Sequence, residues 1–168
     1  GVHPAFWFIL AIGCFIRLAH IGYRSFWADE AWVATLATGP LGGILIGSRG
    51  ELGHPLPPGF AVFVWLWAHA TGASSEAAFR LLPAAFSIGT IVIAYILTKR
   101  LWNEHAAVFA AAAAAGWGVT IGFAHELKQY SGAVFFVFLM ILAGERFRSH
   151  PSIRRGLALA LAGCIGIS

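Results

Sequence analysis

Apolar residues dominate long stretches of this chain, and the polar positions between them do not recur with a helical face. Predominantly apolar segments run over about residues 4–22, 55–72, 79–98, 106–124 and 131–145, and a last one starts at Gly156. A soluble helix keeps one polar face, whereas these stretches are apolar all round, which lipid permits and water does not. The pattern predicts an all-α polytopic membrane protein. The final stretch reaches only Ser168. Thirteen helical residues cover about 20 Å and a bilayer core needs about 30 Å, so the sequence reads as a fragment of a longer protein.

Composition agrees. The 168 residues are 59% hydrophobic and 11% charged, with mean hydropathy +0.78. Net charge is +4, but the basic residues gather at segment ends. They are topology signals, and nucleic acid is not an expected partner. Lys99 and Arg100 follow the third stretch, and Arg146, Arg148, Arg154 and Arg155 follow the fifth. By the positive-inside rule both loops are cytoplasmic. Residues 124–131 then face outward. Residues 23–32 do too, if the first stretch starts in the cytoplasm and the second does not cross. The second opens "PLPP" and carries His69. We read residues 23–76 as a long outer loop with short juxtamembrane helices near 29–38 and 58–70.

Smaller features have plainer readings. Cys14 and Cys164 match no metal spacing. Ala110 to Ala115, and the pairs Gly43/Gly47 and Gly118/Gly122, predict close helix packing. Trp7, Trp65, Trp67 and Trp102 predict an aromatic belt, and His20 and His69 interfacial side chains. Arg17 is expected to snorkel or to pair with a carboxylate.

Two polar clusters fall on the outer side. One is Asp29–Glu30 within "YRSFWADEAW", and the other is Glu126, Lys128, Gln129 and Tyr130 within "AHELKQYS". Charge bordering a bilayer is costly and usually functional. The plainer alternatives are a helix start favoured by acidic residues for the first cluster and an interfacial ion pair for the second. His54-Pro55 closes the outer loop, and Arg80 opens the third stretch.

The ordered set "WADEAW … HPLPPGFAVFVWLWAHATGASSEAAFRLLP … YILTKRLW … HELKQYS" resembles the N-terminal part of GT-C glycosyltransferases. It looks most like the family 39 and aminoarabinose-transferase-like group, which includes protein O-mannosyltransferases. The resemblance implies a GT-C-like transmembrane bundle and an inverting transfer of a sugar from a polyprenyl-phosphate donor to an extracytoplasmic protein, lipid or glycan acceptor. Asp29 matches the presumed general base, and Glu30 its neighbour, paired with an arginine such as Arg80. His54 lies in an HPP-like motif that reads "HPLPP" here. Glu126, Lys128, Gln129 and Tyr130 occupy the second-loop motif, with His125 where glutamine is usual. Some such enzymes use a divalent metal ion, but one histidine and one carboxylate are too few to define a site.

The chemistry suits these residue types. A carboxylate takes the acceptor proton, and a lysine offers a point charge to the leaving phosphate. One base facing one leaving group implies a single inversion. The expected setting is a bacterial plasma membrane, with the site facing the periplasm or exterior. A non-catalytic subunit of a larger membrane assembly is the rival reading. A transporter half would put its charges at mid-bilayer instead.

Overall fold

The computed structural model describes residues 1–47 and 56–167. Among them are nine α-helices and no strand: α1 Pro4–Leu18, α2 Ala28–Thr38, α3 Leu41–Gly47, α4 Pro58–Thr71, α5 Glu76–Leu101, α6 Glu104–Gly116, α7 Gly118–Ala124, α8 Tyr130–Ser149 and α9 Ile153–Ile167. The chain is an all-α integral membrane protein.

Local chemistry sets the helix ends. His3 accepts the amide of Ala5 ahead of Pro4, a residue preorganised for a first helical turn. Ser75 and Asn103 cap α5 and α6 through the amides of Ala78 and Ala106. Glu76 sits at the start of α5 and Lys99 and Arg100 at its end, each matched to the helix dipole. Gly72 closes α4 with φ of 66°, a left-handed conformation that glycine adopts without strain.

α5 and α8 are long and apolar enough to cross a membrane, and α6 with α7 forms a third candidate span, bent by 56° between its halves. The 26 residues of α5 make a rod of about 39 Å. It packs against α1, α6, α7 and α8, and α9 packs on α8. Ala107, Ala111 and Ala115 repeat every four residues along α6 and bury together against Phe6, Ile91 and Tyr95. Their small side chains let α6 approach α5 and α1, as the alanine run predicts. The termini Leu18, Glu76, Ala124 and Tyr130 gather at one end of the bundle, and Leu101, Glu104, Ser149 and Ile153 at the other.

α2, α3 and α4 form a separate layer over the start of α5. Val33, Ala37, Ile44, Phe60, Ala61 and Val64 bury with Phe79, Leu82 and Leu127. α4 has 14 residues, about 21 Å, less than the roughly 30 Å a span requires. Trp65 and Trp67 differ from the aromatic-belt expectation. Their indole N–H groups donate to the carbonyls of Gly39 and Ala78 at 3.1 and 2.8 Å, tying α4 to the α2–α3 turn and to α5. Gly47 packs as predicted, since a Cβ there would lie 2.6 Å from Leu36 Cδ1. Gly118 and Gly122 do not: both are exposed with open space around them.

Arg17 neither snorkels nor meets a carboxylate among the described residues. It is 0% exposed. Its guanidinium donates to Ser87 Oγ at 2.7 Å, to the carbonyls of Gly13, Ala115 and Ala114, and to Thr120 Oγ1. α6 ends at Gly116, so the carbonyls of Ala114 and Ala115 have lost their intrahelical donors. Arg17 supplies both and brings a cation to a helix C-terminus. The Ser87 hydroxyl in turn donates a hydrogen bond to the carbonyl of Thr120, in α7 beyond the break. A buried guanidinium is tolerable only when its donors are met, and the bend in α6–α7 is what presents acceptors to it.

Arg17→Met leaves those carbonyls and hydroxyls without their donor. Thermal unfolding in detergent is expected to show a loss of about 2–4 kcal/mol. A variant as stable as the parent contradicts the stapling of the bend by Arg17.

Candidate active site

Glu30 lies in the first turn of α2, where its carboxylate reaches back to accept the backbone N–H of Trp27 at 3.1 Å. The helix-start reading of the acidic pair therefore holds for this residue. Glu30 does more than cap. It is 0% exposed, and Arg80, near the start of α5, is 1% exposed. Arg80 Nε donates to Glu30 Oε1 at 3.1 Å and Nη2 to Oε2 at 2.8 Å, a bidentate fork. The amide of Leu127, between α7 and α8, donates to Oε1 at 2.7 Å. Arg80 spends its other donors on the carbonyls of Ile21, Arg24 and Ser25. The ring of Phe26 lies 5.1 Å from its guanidinium.

One buried ion pair thus joins residues 21–30, the start of α5 and the 125–129 loop. Burial works against the charged carboxylate of Glu30. The hydrogen bond from Arg80, the amides of Leu127 and Trp27, and the Arg80 charge outweigh it and hold the carboxyl below its ordinary value of 4.5.

Beside this pair the same two loops bring two further pairs into partial exposure. Lys128 Nζ contacts Asp29 Oδ2 at 2.5 Å, with side chains 23% and 45% exposed. Arg24 lies 4.0 Å from Glu126, and its guanidinium sits 4.9 Å over the Trp27 ring. A cavity of about 310 Å³ opens here, lined by His20, Tyr23, Arg24, Arg80, His125 and Glu126. His125 fixes its ring against the carbonyl of Arg17 at 2.9 Å, so the glutamine-like position supports the end of α1. Tyr130 is exposed and stacks on Phe123 at 4.7 Å. Gln129 is half-buried at the N-cap of α8, where its carbonyl accepts the amide of Ala133. His54 lies outside the described residues. Among those residues no group of three histidine, cysteine or acidic side chains could hold a metal ion.

The structure thus brings Asp29, Glu30, Arg80, Glu126 and Lys128 to one end of the bundle. It adds Arg24 and His20, to which sequence reasoning assigned no part in the site. The signal for Arg24 was present: it is a cation three residues before Trp27, in the same stretch as the acidic pair. Chemically the cluster separates. Glu30 and Arg80 are sealed from solvent. Asp29, Lys128, Arg24 and Glu126 are reachable, and they offer carboxylates and cations side by side.

A family model described as dolichyl-phosphate-mannose-protein mannosyltransferase matches residues 54–168. The matched stretch contains Arg80, Glu126, Lys128, Gln129 and Tyr130, while Asp29 and Glu30 precede it. No curated protein and no solved structure matches the chain.

Removing one partner of the sealed pair strands the other in the interior. Glu30→Ala is expected to lower stability by about 3–5 kcal/mol, read as a drop in unfolding midpoint. The depressed carboxyl sets the sign of the pH response. The stability from Glu30 is fully present above its unfolded value near 4.5 and is lost as pH falls through the lower folded value. Proteolysis of the 21–30 segment is therefore expected to accelerate only below pH 4.5. Acceleration already between neutrality and that point contradicts the assignment.

Proposed function

The chain belongs to the dolichyl-phosphate-mannose-protein mannosyltransferase family, a GT-C type of glycosyltransferase. From that premise we propose that it transfers a sugar from a polyprenyl-phosphate carrier to an extracytoplasmic acceptor. The observation that carries this reading is the Asp29–Lys128 pair. A carboxylate in the first turn of α2 and an ammonium 99 residues away in the 125–129 loop meet while both remain partly exposed.

In this reading Asp29 is the general base. As the acceptor hydroxyl attacks the anomeric carbon, Asp29 takes its proton. The bond from that carbon to the phosphate oxygen breaks, and its electron pair leaves with the lipid phosphate. Lys128 and Arg24 offset that charge, and the backbone N–H groups at the start of α8 add donors. Before the donor arrives, Lys128 is engaged by Asp29. An incoming phosphate competes for the ammonium and leaves the carboxylate available to the acceptor. Attack and departure on opposite faces invert the anomeric centre. Glu30 and Arg80 hold the two loops together without touching substrate.

Orientation follows from charge. Lys99, Arg100, Arg146, Arg148, Arg154 and Arg155 lie at the other end of the bundle, which supports an outward-facing carboxylate end. The periplasm or exterior of a bacterium is the expected location.

The test uses the natural full-length protein in membranes with a radiolabelled polyprenyl-phosphate sugar. Asp29→Asn is expected to lower kcat by about 10²–10⁴-fold while leaving the Glu30–Arg80 pair and the unfolding midpoint intact. Lys128→Gln is expected to raise the donor KM as well as lower kcat. An Asp29→Asn form that transfers as fast as the parent contradicts the role of Asp29.

A further inference from the structure

A second cavity lies at the opposite end from the carboxylates. It is a groove of about 820 Å³ between the end of α5, the C-terminal half of α8 and the start of α9. Its rim carries Arg100, Arg146, Arg154 and Arg155, with Ser149 and His150, and its floor is apolar, including Phe136, Leu139, Leu142 and Leu161. The reaction at the other end uses none of these residues.

Charge here is strongly one-sided. Among the described residues, six basic side chains lie at this end, Lys99, Arg100, Arg146, Arg148, Arg154 and Arg155, against two acidic ones, Glu104 and Glu145. Glu104 is engaged by Lys99 at 2.9 Å. Glu145 takes a bidentate contact from Arg148 and also feels the charge of Arg100. Among the described residues no carboxylate lies within ion-pair distance of Arg146 or Arg154, and both are exposed. Arg155 is spent locally: it donates to the carbonyls of His150 and Arg146 and holds α9 against the end of α8. That contact brings Arg146 and Arg154 to the same rim.

The polarity of the groove is graded along α8. Arg146 stands at the rim and Phe136 on the floor ten residues earlier. Ten helical residues span about 15 Å, half the thickness of a bilayer core. An occupant must present an anion at the membrane boundary and hydrocarbon down to its middle. A free phosphate meets the first condition only, and a neutral lipid the second only.

We propose that this groove is a binding site for one anionic phospholipid, with its phosphate on Arg146 and Arg154 and an acyl chain along Phe136, Leu139 and Leu142. Basic pockets between spanning helices are a recurrent way to hold such headgroups.

The full-length protein, purified in mild detergent, is titrated with phosphatidylglycerol or phosphatidylcholine of the same acyl chains. Bound lipid is counted by native mass spectrometry. Phosphatidylglycerol is expected to be retained selectively, and Arg146→Gln with Arg154→Gln to weaken it roughly thirtyfold. Arg148→Gln, which removes a cation already engaged by Glu145, leaves retention unchanged. Leu139→Trp keeps the charge but fills the floor, and it too is expected to lose the lipid. Inorganic phosphate at millimolar concentration does not displace it. Equal retention of the two lipids overturns the proposal, as does an unaffected double variant. So does displacement by inorganic phosphate, or a groove closed in the full-length protein to any lipid.

Discussion

A carboxylate and a guanidinium sealed from solvent hold together everything at the carboxylate end of this molecule. Glu30 and Arg80 are separated by 50 residues and meet through two hydrogen bonds. The amides of Trp27 and Leu127 complete the carboxylate, and the carbonyls of Ile21, Arg24 and Ser25 complete the guanidinium. Such a pair is weak evidence for stability in itself, because the loss of hydration offsets most of the attraction. Its consequence is geometric. Neither charge tolerates the interior without the other and without these backbone partners, so the 21–30 segment and the 125–129 loop have one mutual arrangement. The exposed side chains next door, Asp29 and Lys128, inherit that arrangement.

Arg17 repeats the device one layer deeper. Its acceptors are carbonyls released where α6 stops, together with Ser87 and Thr120. The broken span and the buried arginine therefore require each other. The carbonyl of Arg17 in turn meets the ring of His125, so the bend within the bundle and the loop that carries Glu126 and Lys128 are mechanically linked. Rigid elements behind a site hold its reactive groups to the tolerance that catalysis demands. In the proposed reading, the two buried arginines provide that backing without entering the chemistry.

Much of this was legible in the sequence, for identifiable reasons. Apolar runs report burial in lipid directly, so the all-α membrane class followed from composition. The parity of the basic loops, the prolines before α4 and His69 led to the expectation that this segment does not cross. The carboxylates stood out because charge is rare in this chain, and the family resemblance linked Asp29, Glu30, Arg80, Glu126 and Lys128 before any contact was visible. What stayed hidden depends on three-dimensional pairing. Nothing near Arg17 in sequence announces that four of its five acceptors lie 70 to 103 residues away. Trp65 and Trp67 look like interfacial tryptophans until their indole N–H groups are seen to find carbonyls on neighbouring helices. Gly118 and Gly122 share the spacing of packed glycines, yet they sit on the short exposed helix beyond the break. Arg24 had a visible charge but no visible partner.

The Glu30–Arg80 pair fixes the start of α2 against the 125–129 loop so that Asp29 and Lys128 face each other. This positioning is tested most directly by cross-linking. In a background with Cys14 and Cys164 replaced by serine, the substitutions Asp29→Cys and Lys128→Cys are combined, and the yield of a short thiol cross-link is measured in membranes. Rapid, near-complete cross-linking is expected, and it collapses when Glu30→Gln is added. Efficient cross-linking that ignores Glu30→Gln, or none at all in the parent background, would contradict this positioning.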